Sequence, residues 1–358
     1  MISLEDREIE YLLVLIRCAM LGESAPAPQG VDIERLLKLA DLQQVYSLVL
    51  PALSKAGALS EQELQSWNNY RLSDLQKTII VENERKAVLS DLEEQGIKYI
   101  LLKGLVLRDY YPQQSMRQMS DNDILYDSSR REDLLKIMKK HGFYLDGAVG
   151  ISDDFKKSPC SLEFHREITE HKEGWGYLDL WQRAAQKDNG CEYLINKEDN
   201  YIYTLHHLEK HRSLGGCGIR FLCDMYVLIN QGGYDMAYMT PVLDSLHLLP
   251  LDEAVRGLCD AVFGDKQELN EQERELLEGM FNGGLFHDDY YVKPDLSTSG
   301  KKARYLLRRV FPEKEIMFGT YKELEKAPYL LPYYYIKRLV IKMKYNREGV
   351  KNELKNIK

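Results

Sequence analysis

Lys103-Gly104 and the run Asp121-Asn122-Asp123 carry the residue types and spacing from which chemistry can be built. Two aspartates two positions apart, continuing into Ile124-Leu125-Tyr126, send both carboxylates out of one face of a strand because strand side chains alternate. Like charges held that close repel unless a cation lies between them. Upstream, Tyr99-Ile100-Leu101-Leu102 is a short apolar run of strand character, and Gly104 after it permits a sharp turn and close approach to a ligand. The apolar spacing over 105–111 predicts a helix whose first N–H groups face the space above that strand, where anions are favoured. Alone, Asp-x-Asp or Lys-Gly reads as an ordinary turn. In the order strand, glycine turn, helix, acidic strand, they point to metal and nucleotide chemistry.

A second strand is predicted at 161–168, where Leu162, Phe164 and Arg166 share one face and Glu163, His165 and Glu167 the other. A third carboxylate, most simply Glu163 with Glu167 as the fallback, therefore lines up beside the aspartates. The side chain of Asn122 faces away from them, which predicts that this flank of the strand is not deeply packed.

These residues resemble a known family. Lys103-Gly104, Tyr111-Pro112 with Arg117, Asp121-Asn122-Asp123-Ile124-Leu125 and Leu162-Glu163-Phe164-His165 are similar to the uncharacterised nucleotidyltransferase family of the DNA polymerase β superfamily. So are His207-Leu208-Glu209-Lys210-His211, Cys217-Gly218-Ile219-Arg220 with Asp224, and Val310-Phe311-Pro312. The wider superfamily has Gly or Ser after the glycine, where this chain has Leu105, and its gap to the first acid is shorter. The resemblance implies an α+β fold, a polymerase-β-like core with a small mixed sheet plus N- and C-terminal helical regions. It implies Mg²⁺, two ions held by Asp121, Asp123 and Glu163, and an NTP whose NMP group moves to an acceptor hydroxyl. Glu163 joins the ion that activates the acceptor or acts as the base itself. The nucleotide would meet Lys103, Gly104 and Arg117 on one side and Lys210, His211 and Arg220 on the other. Arg117 has a second reading, holding the metal-bearing strand. The acceptor is left open, a small molecule favoured over tRNA or protein. The competing classes are a catalytically silent nucleotide-binding or interaction module and a toxin-like transferase acting on tRNA or protein.

Composition sets the limits. With 358 residues, 44% hydrophobic and 29% charged, the chain has a globular balance and room for about two domains. Its six cysteines form no Cys-x-x-Cys pair, arguing against a zinc knuckle or disulfide framework. An acidic N-terminus without a long apolar core does not read as a signal peptide, and no apolar run approaches the roughly 20 residues that span a bilayer. A reduced, cytoplasmic protein without membrane attachment is expected. From 301 to 358 there are 16 Lys and Arg against 6 Glu, a local +10, so the remainder carries −18 of the net −8. That tail reads first as a solvated helical surface, and the acidic total disfavours a nucleic-acid substrate.

Three regions follow: helices over 1–96, an α/β core over 97–190 and helices over 191–358. Helices are predicted at 4–20, 33–53 and 60–95, the last opened by the capping-box spacing Ser60 to Glu63. Within the core come a helix at 130–141 and a short strand at 143–145. Further helices are predicted at 199–213, 219–230, 252–263, 271–281, 301–309 and 332–344, with a mobile loop over 283–300. His207 and His211 fall on one helix face, but Glu209 is out of register for a His-Glu-x-x-His site and no third ligand is near, so zinc is not expected. Arg220 and Asp224 have the spacing of an ion pair.

Overall fold

Capping residues set the first helices. In this computed structural model, which describes residues 4, 6–119, 122–149, 151–168, 180–213, 217–283, 324 and 327–337, Asp6 caps α1 (Arg7–Leu21) and Asp32 caps α2 (Ile33–Leu42). Gln44, with φ +54, separates α2 from α3 (Tyr46–Lys55), so the helix expected over 33–53 is two. Ser60 and Glu63 form the reciprocal capping box of α4 (Glu61–Glu94). Only the C-terminal part of α4 is buried, through Arg85, Val88, Asp91 and Leu92.

Strand β1 (Tyr99–Leu101) leads through a four-residue helix, α5 (Gly104–Leu107), and a 3₁₀ turn at Arg108–Tyr110 to β2 (Asp123–Tyr126). Then come α6 (Arg131–Lys140), β3 (Tyr144–Val149), β4 (Ser152–Lys157) and β5 (Cys160–His165). The chain continues through α7 (Leu180–Arg183), β6 (Ala185–Gln186) and β7 (Glu192–Leu194). The seven strands form one mixed sheet in the order β3-β4-β5-β2-β1-β7-β6. β2 runs antiparallel to β1 and parallel to β5, with Asp123 paired to Glu163. β4, antiparallel to β5, was not foreseen because Phe155 is the single apolar residue of Ser-Asp-Asp-Phe-Lys-Lys. α8 (Lys197–Ser213), α9 (Arg220–Ile229), α10 (Met236–Ser245), α11 (Leu249–Phe263) and α12 (Glu271–Gly283) follow. The expected helix at 301–309 and the loop after Gly283 lie outside the described residues. Among the described residues no helix is long and apolar enough to cross a membrane.

The period of two divides the sheet between two cores. Ile124, Tyr126, Leu162 and Phe164 pack with Val88 and Leu92 of α4 and Leu134 and Ile137 of α6. Ile100, Leu102 and Leu125 join a larger cluster with α1, α3, α8 and α9. Asp123 and Glu163 belong to this second face. Asn122 corrects an expectation: the residue is only 4% exposed, and Arg85 Nη1 reaches from α4 and donates to its Oδ1 at 2.7 Å.

A buried ionic knot joins the second face to its helical cover. Arg117, in the loop before β2, donates through Nε and Nη2 to the two oxygens of Asp224 on α9, at 2.7 and 2.8 Å, and the Tyr111 hydroxyl donates to Asp224 at 2.8 Å. The Arg220–Asp224 pair expected from helical spacing is therefore not what holds Asp224; Arg220 Nη1 donates to the Gln118 carbonyl at 3.2 Å. Removing one partner of such a pair strands the other charge in a buried site. Asp224→Ala should cost roughly 3–5 kcal/mol, read by denaturant unfolding, whereas an exposed pair such as Lys38–Glu34, at 2.6 Å, should contribute less than about 1 kcal/mol.

Candidate metal and nucleotide site

Register places three carboxylates in a row. Asp123 of β2 is paired to Glu163 of β5, which is paired to Asp154 of β4, so all three leave the same face. His165, two residues along β5, brings its Nε2 to 2.9 Å from Asp123 Oδ1 and 3.3 Å from Glu163 Oε1. Ligand atoms of Asp123, Glu163 and His165 lie within 4.8 Å of one another. Lys103 Nζ donates to Asp123 Oδ1 at 2.6 Å. Burial alone would raise the Asp123 pKa, but the Lys103 charge and the His165 hydrogen bond outweigh it and hold the carboxyl far below its usual range. Burial would likewise lower Lys103, and Asp123 outweighs it, so the ammonium is kept charged. Asp154 is pushed up to about 6 by burial and by the neighbouring Glu163.

The turn that delivers Lys103 has an unusual backbone. Its φ is +48, a region in which a side chain is strained and glycine is favoured. Gly104 is needed for a different reason from the turn itself: a Cβ there would lie 2.2 Å from Arg117 Nη1. The N–H groups of Leu105, Val106 and Leu107 donate to the carbonyls of Leu102 and Lys103. These three N–H groups are thus committed to the turn and do not form the phosphate grip expected of a helix start.

Helix α8 faces the row. Tyr203 lies against Lys103, with its hydroxyl pKa raised by burial. His207 and His211 share one face, as their spacing predicts, with ring centroids 4.4 Å apart and Nε2 atoms 3.1 Å apart. Desolvation, then the Lys103 charge, pushes His207 well down and His211 down to about 4, so both are neutral at pH 7. Lys210 is exposed on α8 but contributes to the field at both imidazoles, and Arg220 is buried and acts on His211.

The structure thus brings together Lys103, Asp123 and Glu163, with His211 acting on the same ion pair. Arg117 is committed to Asp224, and Asp121 lies outside the described residues. His165, Asp154, Tyr203 and His207 had not been assigned to the site. The alternation Glu163-x-His165 carried the signal for His165; Asp154 was hidden in a polar strand, and Tyr203 in a helix that is buried on more than one side.

The donor set fits a divalent cation. Two adjacent carboxylates offer hard oxygen ligands, and a tethered ammonium already occupies one Asp123 oxygen as a stand-in charge. The His165 Nε2–H is positioned to orient both acids, while its buried Nδ1 has no described partner.

Fold and site define an α+β protein with an acidic, cation-ready row on a mixed sheet. The family model for uncharacterised nucleotidyltransferases matches residues 29–264, and the chain belongs to that family. No curated protein and no solved structure matches it.

Neutral burial of His211 makes stability depend on pH. Its ordinary value of 6.5 falls to about 4, so between these values the unfolded chain binds more protons, and the stability fully present above 6.5 is lost as pH falls. Asp154, with its raised value, acts in the opposite sense. The difference between wild type and His211→Gln isolates the imidazole: lowering pH from 7 to 4 should cost wild type on the order of 3 kcal/mol more than the variant, measured by urea unfolding at each pH.

Proposed function

We propose that this protein is a divalent-metal-dependent nucleotidyltransferase with a polymerase-β-like core, and that it moves an NMP group from an NTP to the hydroxyl of a small-molecule acceptor. The observation that carries this reading is the Asp123–Glu163 pair on one sheet face, with Lys103 bound to the first acid. Asp123, Glu163 and Asp121 would hold Mg²⁺, two ions by this reading, which when bound neutralises triphosphate charge and lowers the pKa of the acceptor hydroxyl. The acceptor oxygen attacks the α-phosphorus, the bond to pyrophosphate breaks, and the hydroxyl proton passes to Glu163, whose side chain is 30% exposed and thus reachable. Lys103 exchanges its contact with Asp123 for the phosphates as nucleotide arrives, and Gly104 lets the chain come close to them. His165 and Arg117 are positioning residues: one orients the acids, the other fixes the loop behind Gly104. His211, Lys210 and Arg220 form the wall toward the helical cover, His211 as a neutral donor or acceptor. The three-part division at 96 and 190, and a cytoplasmic setting suited to free cysteines, complete the proposal.

A catalytically silent nucleotide-binding module is the second reading, favoured by the same closed Lys103–Asp123 contact if it never opens. Label transfer from each α-labelled NTP, with Mg²⁺ and an extract-derived acceptor pool, separates the two. Wild type should transfer label and release pyrophosphate, and Asp123→Asn and Glu163→Gln should each lower the rate at least about a hundredfold. Transfer undiminished in both variants contradicts the assignment. Nucleotide binding without pyrophosphate release from any acceptor favours the silent module.

A further inference from the structure

We infer that a second, separate anion site, built for a phosphate group, lies behind the metal-bearing strand between α4 and the start of β5. Its centre is Arg85, which is 6% exposed. Nη1 of this guanidinium donates to Asn122 Oδ1 at 2.7 Å, a neutral acceptor, and its Nη2 is 3.8 Å from Glu82. Its Nε has no partner among the described residues. The same Glu82 also serves Arg108, at 3.1 Å, and Lys86, at 3.3 Å. Glu82 is therefore shared among three cations, two of them guanidiniums with little exposure, and the further carboxylate at Arg108, Asp109, stands at 4.0 Å on an exposed position. Asp74 faces Lys77 across the same wall, and these two offset one another.

Buried charge is ordinarily paired, because an unpaired ion in a low-dielectric site is costly. Here the excess is positive and borders empty space: Arg85, Arg108, Lys77, Asn122 and Ser161 line a cavity of about 150 Å³. It adjoins a cavity of about 290 Å³ that shares Asp74, Thr78, Arg108 and Met119 with it. The smaller one alone is several times the roughly 30 Å³ of a water molecule in the liquid. Burial and the repulsion of Arg108 both lower the Arg85 pKa, as expected of a charge awaiting its counterion. Two guanidiniums converging from different elements match a tetrahedral, doubly charged oxyanion, whose separate oxygens accept from each.

The site is distinct from the Asp123 row because Asn122 points to the opposite sheet face. It is nevertheless mechanically close. Asn122, which Arg85 holds, immediately precedes Asp123, and its Nδ2 donates to the Ser161 carbonyl at 3.3 Å, two residues before Glu163. A bound phosphate would neutralise Arg85 at the base of both acidic strands.

Calorimetric titration of the full chain with inorganic phosphate and, separately, with glycerol 3-phosphate tests the site, the tighter arm identifying free phosphate or a phosphomonoester as its ligand. Arg108→Gln should raise the dissociation constant at least about tenfold, while Lys38→Ala, an exposed lysine of α2 that lines neither cavity, should leave it within about twofold. If Arg108→Gln does not fold, Lys77→Gln, at an exposed position, carries the test with a loss of about threefold. Absence of binding to wild type, undiminished binding in the cleft variant, or an equal loss in Lys38→Ala would each overturn the inference.

Discussion

The Asp224 carboxylate is the constraint on which the arrangement of the site depends. It sits on α9 and receives both Arg117 and Tyr111 in a buried environment, so the loop before β2 cannot move independently of the helical cover. The guanidinium so fixed leaves no room for a side chain at 104. The adjoining residue, Lys103, carries the positive φ, with its ammonium aimed at Asp123. Strain at one residue is tolerated because its surroundings over-determine it. Contacts running from a helix carboxylate through Arg117 to Gly104 tie the turn beside the site to a residue about a hundred positions away.

Electrostatically the site is an unequal contest. Asp123, Glu163 and Asp154 form a row across three strands, and one tethered ammonium stands among them. The response is visible in the neighbours. Asp154 retains its proton to about pH 6, and His207 and His211 stay neutral because burial and the Lys103 charge both disfavour a further cation there. Such opposed shifts are common where a ligand is to supply the missing charge. On the proposed function, a divalent cation with its nucleotide would supply it here, freeing Lys103 for the phosphates.

Much of this was legible in the sequence because it rests on local pattern. The Ser60–Glu63 cap, the strand at Tyr99, the strand from Asp123 to Tyr126 and the alternation of Glu163 and Phe164 follow from spacing alone, and each is where expected. What was not legible depends on partners distant in the chain. Asn122 reads as a sign of a shallow flank until Arg85 arrives from α4. Asp224 reads as the partner of Arg220 until Arg117 takes it. β4 escapes because its acids are satisfied by residues elsewhere, Asp153 by Arg131 and Arg166, so no apolar alternation is needed to bury them. Gly104 reads as the residue that lets the turn bend, whereas the unusual dihedral falls on Lys103 and a Cβ at 104 would collide with Arg117.

Direct binding of Mn²⁺, followed by the loss of its free paramagnetic resonance signal without nucleotide, tests the central claim that the Asp123–Glu163 face is a divalent-cation site guarded by Lys103. The account predicts binding to wild type, loss of at least about tenfold in affinity in Asp123→Asn, and tighter binding in Lys103→Met, from which the competing ammonium is gone. No binding to wild type, or the same affinity in wild type and Asp123→Asn, would contradict it.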